Sequence, residues 1–254
     1  MSGRFAGHSV LVTGACGGLG RAICADFAAQ GARVFAADLD GAAADALAGE
    51  LGGGAVGLTL DVTDEAQWQA AIAAVVAQAG RLDVLVNNAG IFVPNVPFTD
   101  MPLDLWRQHM AVNADGTFLG CKHGILAMRG AGQGAIVNVA SGMAITAMAQ
   151  AGAYCASKAA VLMTTRVAAR AAGPDGITVN AVLPGAVPTP MLMGNLREGQ
   201  AEADMLGMMA SYAAMGRLAS AGDIAHAVLM LADPASRAIT GVALPVDCGT
   251  LPGS

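Results

Sequence analysis

Tyr154, Lys158 and Ser141 are three side chains that could together move a proton. Tyr154 and Lys158 stand four positions apart in an alanine-rich stretch, so on a helix they share one face. An ammonium beside a phenol favours the phenolate, and we expect Lys158 to lower the pKa of Tyr154 towards working pH. Ser141 ends the short apolar run before that helix, where its hydroxyl can point into the same crevice. A Tyr-x-x-x-Lys spacing also occurs on ordinary exposed helices, but the position of Ser141 favours an acid–base site.

A glycine-rich turn near the start of the chain could bind a phosphate group. The stretch Thr13-Gly14-Ala15-Cys16-Gly17-Gly18-Leu19-Gly20 follows an apolar run and precedes a helical one. Gly14 permits a tight turn, Gly18 lets backbone approach a pyrophosphate, and Gly20 lets the next helix pack closely. The helix N-terminus offers free N–H groups to the anion. This context predicts a dinucleotide site.

Asp38 ends the next apolar run and could discriminate between NAD and NADP. A carboxylate there can accept hydrogen bonds from both hydroxyls of the adenosine ribose, and it would repel a 2′-phosphate. Neither Leu39 nor Gly17 supplies a basic side chain. NAD is therefore predicted rather than NADP.

Short apolar runs alternate along the chain with longer alanine-rich stretches. The predicted strands are 8–13, 33–38, 55–60, 84–87, 135–140, 178–183 and 242–246. The predicted helices are 18–30, 41–51, 64–79, 103–128, 153–172 and 223–231. Such alternation predicts an α/β fold with a doubly wound, seven-stranded parallel sheet (a Rossmann fold), in a single domain over 1–254.

The segment 187–215 interrupts this rhythm. It contains Pro188, Pro190 and six methionines between the sixth strand and the last helix. Insertions at the carboxyl ends of parallel strands lie where open α/β sheets bind ligands. We expect a helical substrate lid here, although the methionines could equally fill a core or a subunit interface.

Composition excludes several other classes. Among 254 residues 55% are hydrophobic and 13% charged, which is incompatible with intrinsic disorder. The net charge of −6 argues against nucleic acid or an anionic membrane as partner, and no membrane span or secretory signal is visible. Five cysteines cannot all pair and none form a CxxC, so a reducing, cytoplasmic location and no metal site are predicted.

The motifs in their order resemble the short-chain dehydrogenase/reductase family over nearly the whole sequence. The residues that carry the resemblance are Thr13-Gly14-x-x-x-Gly18-x-Gly20, Asp61-Val62, Asn87-Asn88-Ala89-Gly90, Asn113, Ser141, Tyr154-x-x-x-Lys158, Pro184-Gly185, Thr189 and Gly241 with Val246-Asp247. Several motifs in a fixed order are more specific than any one of them.

The resemblance implies a role for each catalytic residue. Tyr154 would be the acid/base, and Ser141 would hydrogen-bond the substrate oxygen. Lys158 would bind the nicotinamide ribose and lower the pKa of the tyrosine. Asn113 would hold a water molecule in the proton relay, although it could also simply kink its helix.

The same resemblance implies an NAD-binding set and a homotetramer. Asp61 would meet the adenine, Asn87 to Gly90 would line the adenosine side, and Thr189 with Val187 would hold the carboxamide and phosphates. The whole set comprises Gly14, Gly17, Gly18, Leu19, Gly20, Asp38, Asp61, Val62, Asn88, Ala89, Gly90, Tyr154, Lys158, Pro184, Gly185, Val187 and Thr189.

Two features depart from the family pattern. The chain has Asp247-Cys248-Gly249 where the family usually has Asp-Gly-Gly. Ala221 replaces the proline that commonly opens the last helix, which leaves Ser220 as its expected N-cap. His109, on the helix before Asn113, is expected to be structural.

The expected substrate pocket is almost wholly apolar. Its residues are Val93, Met143, Met148 and Met191, with Ile91, Met193 and Leu196 beside them. Only Arg197 could pair with a charged substrate, and an unpaired buried charge would be costly. The prediction is an NAD-dependent oxidoreductase that interconverts a hydrophobic secondary alcohol, cyclic, aromatic or steroid-like, and its ketone. The alternatives are a 3-oxoacyl-ACP reductase, a polyol or sugar dehydrogenase, and a non-catalytic NAD(H) sensor.

Overall fold

A seven-stranded parallel sheet organises the molecule. The computed structural model describes residues 3–196 and 201–251. The strands are β1 (Ser9–Thr13), β2 (Arg33–Asp38), β3 (Val56–Thr59), β4 (Val84–Asn87), β5 (Gly134–Val139), β6 (Ile177–Pro184) and β7 (Ala243–Val246). Their order across the sheet is β3-β2-β1-β4-β5-β6-β7. The order reverses direction between β1 and β4, so a crevice lies beyond the carboxyl ends of these strands, and the predicted doubly wound sheet is confirmed.

Helices cover both faces of the sheet. They are α1 (Gly18–Ala29), α2 (Gly41–Leu51), α3 (Glu65–Ala79), α4 (Leu103–His109), α5 (Gly116–Met128), α6 (Gly152–Ala172), α7 (Pro190–Met193), α8 (Glu202–Ser211) and α9 (Ala221–Ala232). No helix in the described part of the chain has the length and apolar character that crossing a membrane would require.

The strands are apolar along their whole length because both faces are covered. In β1, Val10 and Val12 point into a buried cluster that includes Phe27 of α1 and Val228 of α9. Leu11 points the other way, into a second cluster with Trp68 of α3. The two-residue repeat of a strand thus divides the core into two layers.

The stretch 103–128 is not one continuous helix as predicted. α4 ends at His109, a π-helical segment follows over Met110–Asp115, and α5 begins at Gly116. A π-helix places an extra residue in a turn and is often found at functional sites. The widened turn contains Asn113, whose side chain reaches out of the helix to the backbone of Ile91.

The segment 187–215 is partly helical, as predicted, and its role as a substrate lid stays a prediction. α7 begins with Pro190 at a position where a missing N–H costs nothing, and α8 follows. Arg197, the one basic residue expected near the substrate, lies outside the described residues.

Both departures at the C-terminal end have a structural counterpart. Ser220 is the N-cap of α9, as predicted, and forms a reciprocal capping box with Asp223. Cys248 has φ +57°, a left-handed conformation that a glycine adopts more readily.

Candidate active site

The structure brings together the three residues predicted to move a proton. Tyr154 lies in the first turn of α6 and Lys158 one turn later, while Ser141 lies two residues after the end of β5. Lys158 Nζ donates to the carbonyl of Val139 at 2.9 Å and lies 5.8 Å from the centre of the Tyr154 ring. A hydrogen bond joins the Ser141 and Tyr154 side chains. The three polar groups therefore share one corner of the crevice.

The expected lowering of the Tyr154 pKa by Lys158 is not found. Burial raises the pKa of Tyr154 to about 12, against the smaller lowering effect of the Ser141 hydrogen bond. Burial also lowers the pKa of Lys158 to about 8. Sequence spacing places the ammonium near the phenol, but Lys158 is not among the groups that shift the pKa of Tyr154, so the prediction of a lowered tyrosine pKa is wrong.

Asn113 is fully buried and fixes the loop after β4. Its Oδ1 accepts from Ile91 N at 2.8 Å, and its Nδ2 donates to Ile91 O at 3.1 Å and to Ser157 Oγ at 2.9 Å. The side-chain amide is thus engaged with protein groups. A water molecule of the implied relay would have to bind the main-chain carbonyl of Asn113, which also accepts from Thr117 Oγ1 at 2.7 Å.

The glycine turn after β1 has the geometry of a close-approach site. Gly14 has φ +60°, and a methyl group added there would lie 2.8 Å from Ala89 Cα. A methyl group on Gly18 would lie 2.9 Å from the side chain of Thr189. Gly20 has no room for a side chain beside Gly14 O. The backbone of this turn therefore packs closely on Ala89 and Thr189, with Gly17 exposed and Leu19 packed on the core, and its binding of a pyrophosphate stays a prediction.

Polar contacts tie this turn to the end of β4. Thr13 Oγ1 accepts from the backbone N–H groups of Asn88 and Ala89, both at 3.1 Å. Asn88 Nδ2 donates to Thr13 O at 2.9 Å and Gly14 O at 3.0 Å. These contacts hold the two predicted cofactor-binding segments together at the point where the strand order reverses.

Asp38 presents its carboxylate at the end of β2. Its Oδ2 accepts from Cys16 N at 2.9 Å and its Oδ1 from Asp40 N at 3.3 Å. Within residues 3–196 and 201–251, no Lys or Arg forms an ion pair with Asp38. Arg21 lies near the turn but pairs with Glu50 at 3.0 Å.

The remaining predicted cofactor residues lie around the same crevice. The Asp61 carboxylate accepts from Thr63 N and Oγ1, and the carbonyl of Val62 accepts from Trp68 Nε1 at 3.0 Å. A methyl group on Gly90 would lie 3.3 Å from Lys158 Nζ. The close approach of the loop to Lys158 therefore depends on a glycine.

The end of β6 has a more structural character than the sequence suggested. β6 ends at Pro184, and a methyl group on Gly185 would lie 2.8 Å from Asp247 Cβ. Val187 is buried in the core cluster. In this structure Gly185 permits close packing against the C-terminal turn, and any contact of Val187 with a cofactor would have to use its backbone.

The predicted substrate residues come from three segments. Val93 lies on the loop after β4 and is 38% exposed, and Met191 is an exposed residue of α7. Asn195 Nδ2 links these segments by donating to Met191 O at 2.7 Å and Phe92 O at 3.4 Å. Half-buried Met143 and Met148 follow Ser141. In the described part of the chain no three metal-binding side chains form a group, and a metal-free site stays a prediction.

Comparison with known proteins identifies the family. A family model described as "Enoyl-(Acyl carrier protein) reductase" matches residues 14–250. The chain is 38% identical over 252 residues to 2,5-dichloro-2,5-cyclohexadiene-1,4-diol dehydrogenase LinX of Sphingobium indicum. The alignment covers 98% of this chain and 98% of that protein. This protein belongs to the short-chain dehydrogenase/reductase family. The resemblance inferred from its motifs is thus confirmed, and the chain is an oxidoreductase of that family.

Two further members of the family cover nearly all of the chain. D-threitol dehydrogenase of Mycolicibacterium smegmatis is 41% identical over 249 residues, which are 97% of this chain and 94% of that protein. The crystal structure of 3-ketoacyl-(acyl-carrier-protein) reductase from Brucella melitensis complexed with NADH superposes with a TM-score of 0.89 at 33% identity. It covers 96% of this chain and 98% of the neighbour.

Sequence reasoning missed Phe92 and Asn195 in this short-chain dehydrogenase/reductase. The Phe92 ring lies 4.7 Å from the Tyr154 ring, centre to centre, with 60° between the ring planes. Its position between Ile91 and Val93, both of which were expected to line the pocket, was the available signal. Asn195 gave no comparable signal, because its two acceptors become neighbours only in the folded chain.

Proposed function

We propose that this protein is an NAD-dependent dehydrogenase that interconverts a hydrophobic cyclic secondary alcohol and its ketone. The observation that carries the proposal is the grouping of Tyr154, Ser141 and Lys158 at the carboxyl edge of the sheet, beside the glycine turn. This grouping offers a proton acceptor, a hydroxyl to orient substrate and a cation, as alcohol oxidation requires.

The side chains divide the chemistry of the proton among them. Ser141 would hydrogen-bond the substrate oxygen, and Tyr154 would take the proton from the substrate hydroxyl. For this the pKa of Tyr154 has to fall from about 12, and the hydrogen bond with Ser141 already acts in that direction. When bound, the nicotinamide would accept the hydride from the carbinol carbon. Asn113 would hold the water that carries the proton away from Lys158.

NAD is the proposed cofactor because of Asp38. A 2′-phosphate would bring negative charge to a carboxylate that has no basic partner among the described residues. The NADH named with the Brucella melitensis reductase supports a nicotinamide cofactor in this fold.

The substrate class is proposed from the apolar side chains and from the relatives. Phe92 packs against Tyr154, and Val93 and Met191 present exposed carbon surface on the adjoining loop and helix. The cyclohexadienediol named for the Sphingobium indicum relative supports a cyclic alcohol. The threitol named for the Mycolicibacterium smegmatis relative supports the alternative, an open-chain polyol.

We further propose that the protein acts as a cytoplasmic homotetramer. Large apolar side chains are exposed on the outer faces of two neighbouring helices, Phe118 and Leu126 on α5 and Met163 and Val167 on α6. Apolar surface of this kind is common where subunits meet.

The proposed function is tested by following NADH absorbance with purified protein, NAD and a panel of cyclic alcohols, open-chain alcohols and polyols. Tyr154→Phe should lower kcat by roughly 10²- to 10⁴-fold and leave NADH binding near wild type, because only the transferable proton is lost. Tyr212→Phe is the matched control, since Tyr212 is the other tyrosine and is 69% exposed. Full activity in Tyr154→Phe would remove the tyrosine from its role, and turnover of polyols alone would favour the alternative substrate.

A further inference from the structure

His109 and Asn113 hold successive residues of the loop after β4. They stand four positions apart and face the same segment, 91–93. Asn113 bonds both backbone groups of Ile91, at 2.8 and 3.1 Å, and His109 Nε2 accepts from Val93 N at 3.2 Å. The distance along one turn of helix, from His109 to Asn113, thus matches the distance between two alternate residues of the extended loop, Ile91 and Val93.

The contacts of His109 require one particular form of the imidazole. His109 has no exposed surface, and its Nδ1 lies 2.9 Å from Leu105 O. A carbonyl can only accept, so the proton is on Nδ1. The other nitrogen is then free to accept from Val93 N–H, and the neutral ring satisfies both partners at once. His109 is therefore fitted to a backbone N–H of the loop rather than simply filling space.

Phe92 lies between the two residues that are held. With the backbone of Ile91 and Val93 bonded to the helical side, Phe92 places its ring against Tyr154. Edge-to-face aromatic pairs of this kind are attractive beyond their buried area. The contact of His109 with the loop thus fixes the Phe92 ring, which forms an aromatic wall beside the phenol of Tyr154.

We propose that His109 is a positioning residue that holds Phe92 against Tyr154 and so gives the site its preference for rigid cyclic alcohols. This inference rests on the proposed function. A fixed aromatic wall favours a ring-shaped apolar substrate that fits against it, while a small open-chain alcohol can bind without touching it. His109 contacts neither substrate nor cofactor in this scheme and acts only through Val93 and Phe92.

Steady-state kinetics with NAD and two alcohols, cyclohexanol and 2-butanol, tests the preference. In His109→Leu the Val93 N–H loses its acceptor, and KM for cyclohexanol should rise about tenfold while KM for 2-butanol changes less than about twofold. His109→Gln, which can again offer an acceptor to Val93, should recover most of the loss. His226→Leu, an exposed histidine of α9, is the control. Equal changes for both alcohols, or no recovery in His109→Gln, would overturn the proposal.

A double-mutant cycle tests the route through Phe92. Phe92→Leu alone should also raise KM for cyclohexanol selectively. Combining it with His109→Leu should raise that KM little further, because both substitutions remove the same fixed aromatic wall. Additive effects would show that His109 does not act through Phe92.

Hydrogen exchange of the segment 91–97, measured by mass spectrometry, separates this inference from the proposed function. The backbone amides of this segment should exchange about tenfold faster in His109→Leu than in wild type or His109→Gln, whether or not the protein oxidises an alcohol. A wild-type protein that oxidises no alcohol would end the proposed function and the substrate preference together, and the exchange data would still decide the loop contact. Unchanged exchange in His109→Leu would refute the contact itself.

Discussion

Lys158 is a cation enclosed by protein, and its burial costs free energy. Its side chain is 4% exposed, its Nζ donates to Val139 O, and no carboxylate in residues 3–196 and 201–251 forms an ion pair with it. Burial lowers the pKa of Lys158 from 10.5 to about 8. A charge held under these conditions is typical of a functional group retained at the expense of stability.

We predict that Lys158→Met is more stable than wild type at neutral pH, and inactive. The gain in the free energy of unfolding is up to about 3 kcal/mol at pH 7. Between about pH 8 and 10.5 the unfolded wild type binds more protons than the folded one, so wild-type stability rises with pH and the gain shrinks. Urea unfolding at pH 7 and pH 10 measures the difference.

The ionisation of Tyr154 also changes stability above pH 10, but both proteins contain this residue, so to first order it cancels in the comparison. A variant that is less stable than wild type by the same amount at both pH values would contradict the prediction. It would mean that the bond to Val139 contributes more than burial of the charge costs.

Asp38 is predicted to set the cofactor preference. The preference is measured as kcat/KM with NAD divided by kcat/KM with NADP. Asp38→Ala should lower this ratio about tenfold, because the repulsion of a 2′-phosphate is removed. Asp40→Ala is the matched control, since Asp40 is a neighbouring carboxylate that caps α2. An unchanged ratio in Asp38→Ala, or an equal change in Asp40→Ala, would refute the assignment.

At the scale of elements, the turn after β7 contains a strained residue. Cys248 replaces the family's usual glycine and has φ +57°, while its carbonyl accepts from Met215 N at 3.1 Å. Leu251, a few residues further on, packs beside Gly142 in the turn that contains Ser141. The turn therefore links the end of the segment 187–215 to the catalytic corner.

We predict that Cys248→Gly stabilises the protein relative to Cys248→Ala by about 1 kcal/mol, because a glycine adopts positive φ without steric cost. Both variants lose the same thiol, so their difference isolates the backbone. Thermal unfolding of the two proteins measures it. Equal stability would mean that the turn relaxes out of the left-handed conformation.

At the scale of the whole molecule, the exposed apolar faces of α5 and α6 predict association. Light scattering should give about four times the chain mass of 25.1 kDa. Phe118→Glu combined with Val167→Glu should dissociate the assembly, because a buried, unpaired carboxylate is costly at an apolar interface. Met230→Glu, at a more covered position on α9, is the control. A monomeric wild type would contradict the tetramer.

Much of this architecture follows from the sequence alone. The predicted strands 33–38 and 84–87 agree with β2 and β4, and Ser220 caps α9 as its type and position indicated. Strand patterns, caps and glycine turns depend on neighbouring residues and on backbone geometry, so they are visible in the sequence. The order of motifs likewise placed Tyr154, Lys158 and Ser141 together.

Only the tertiary structure decided how these groups are coupled. The π-helical segment at Asn113, the ring of Phe92 on Tyr154 and the contact of His109 with Val93 join residues whose neighbours are set by packing. The raised pKa of Tyr154 has the same origin, since burial depends on every element around a side chain. Spacing along the chain fixes which groups can meet, whereas distance and hydration in the folded protein fix what they do.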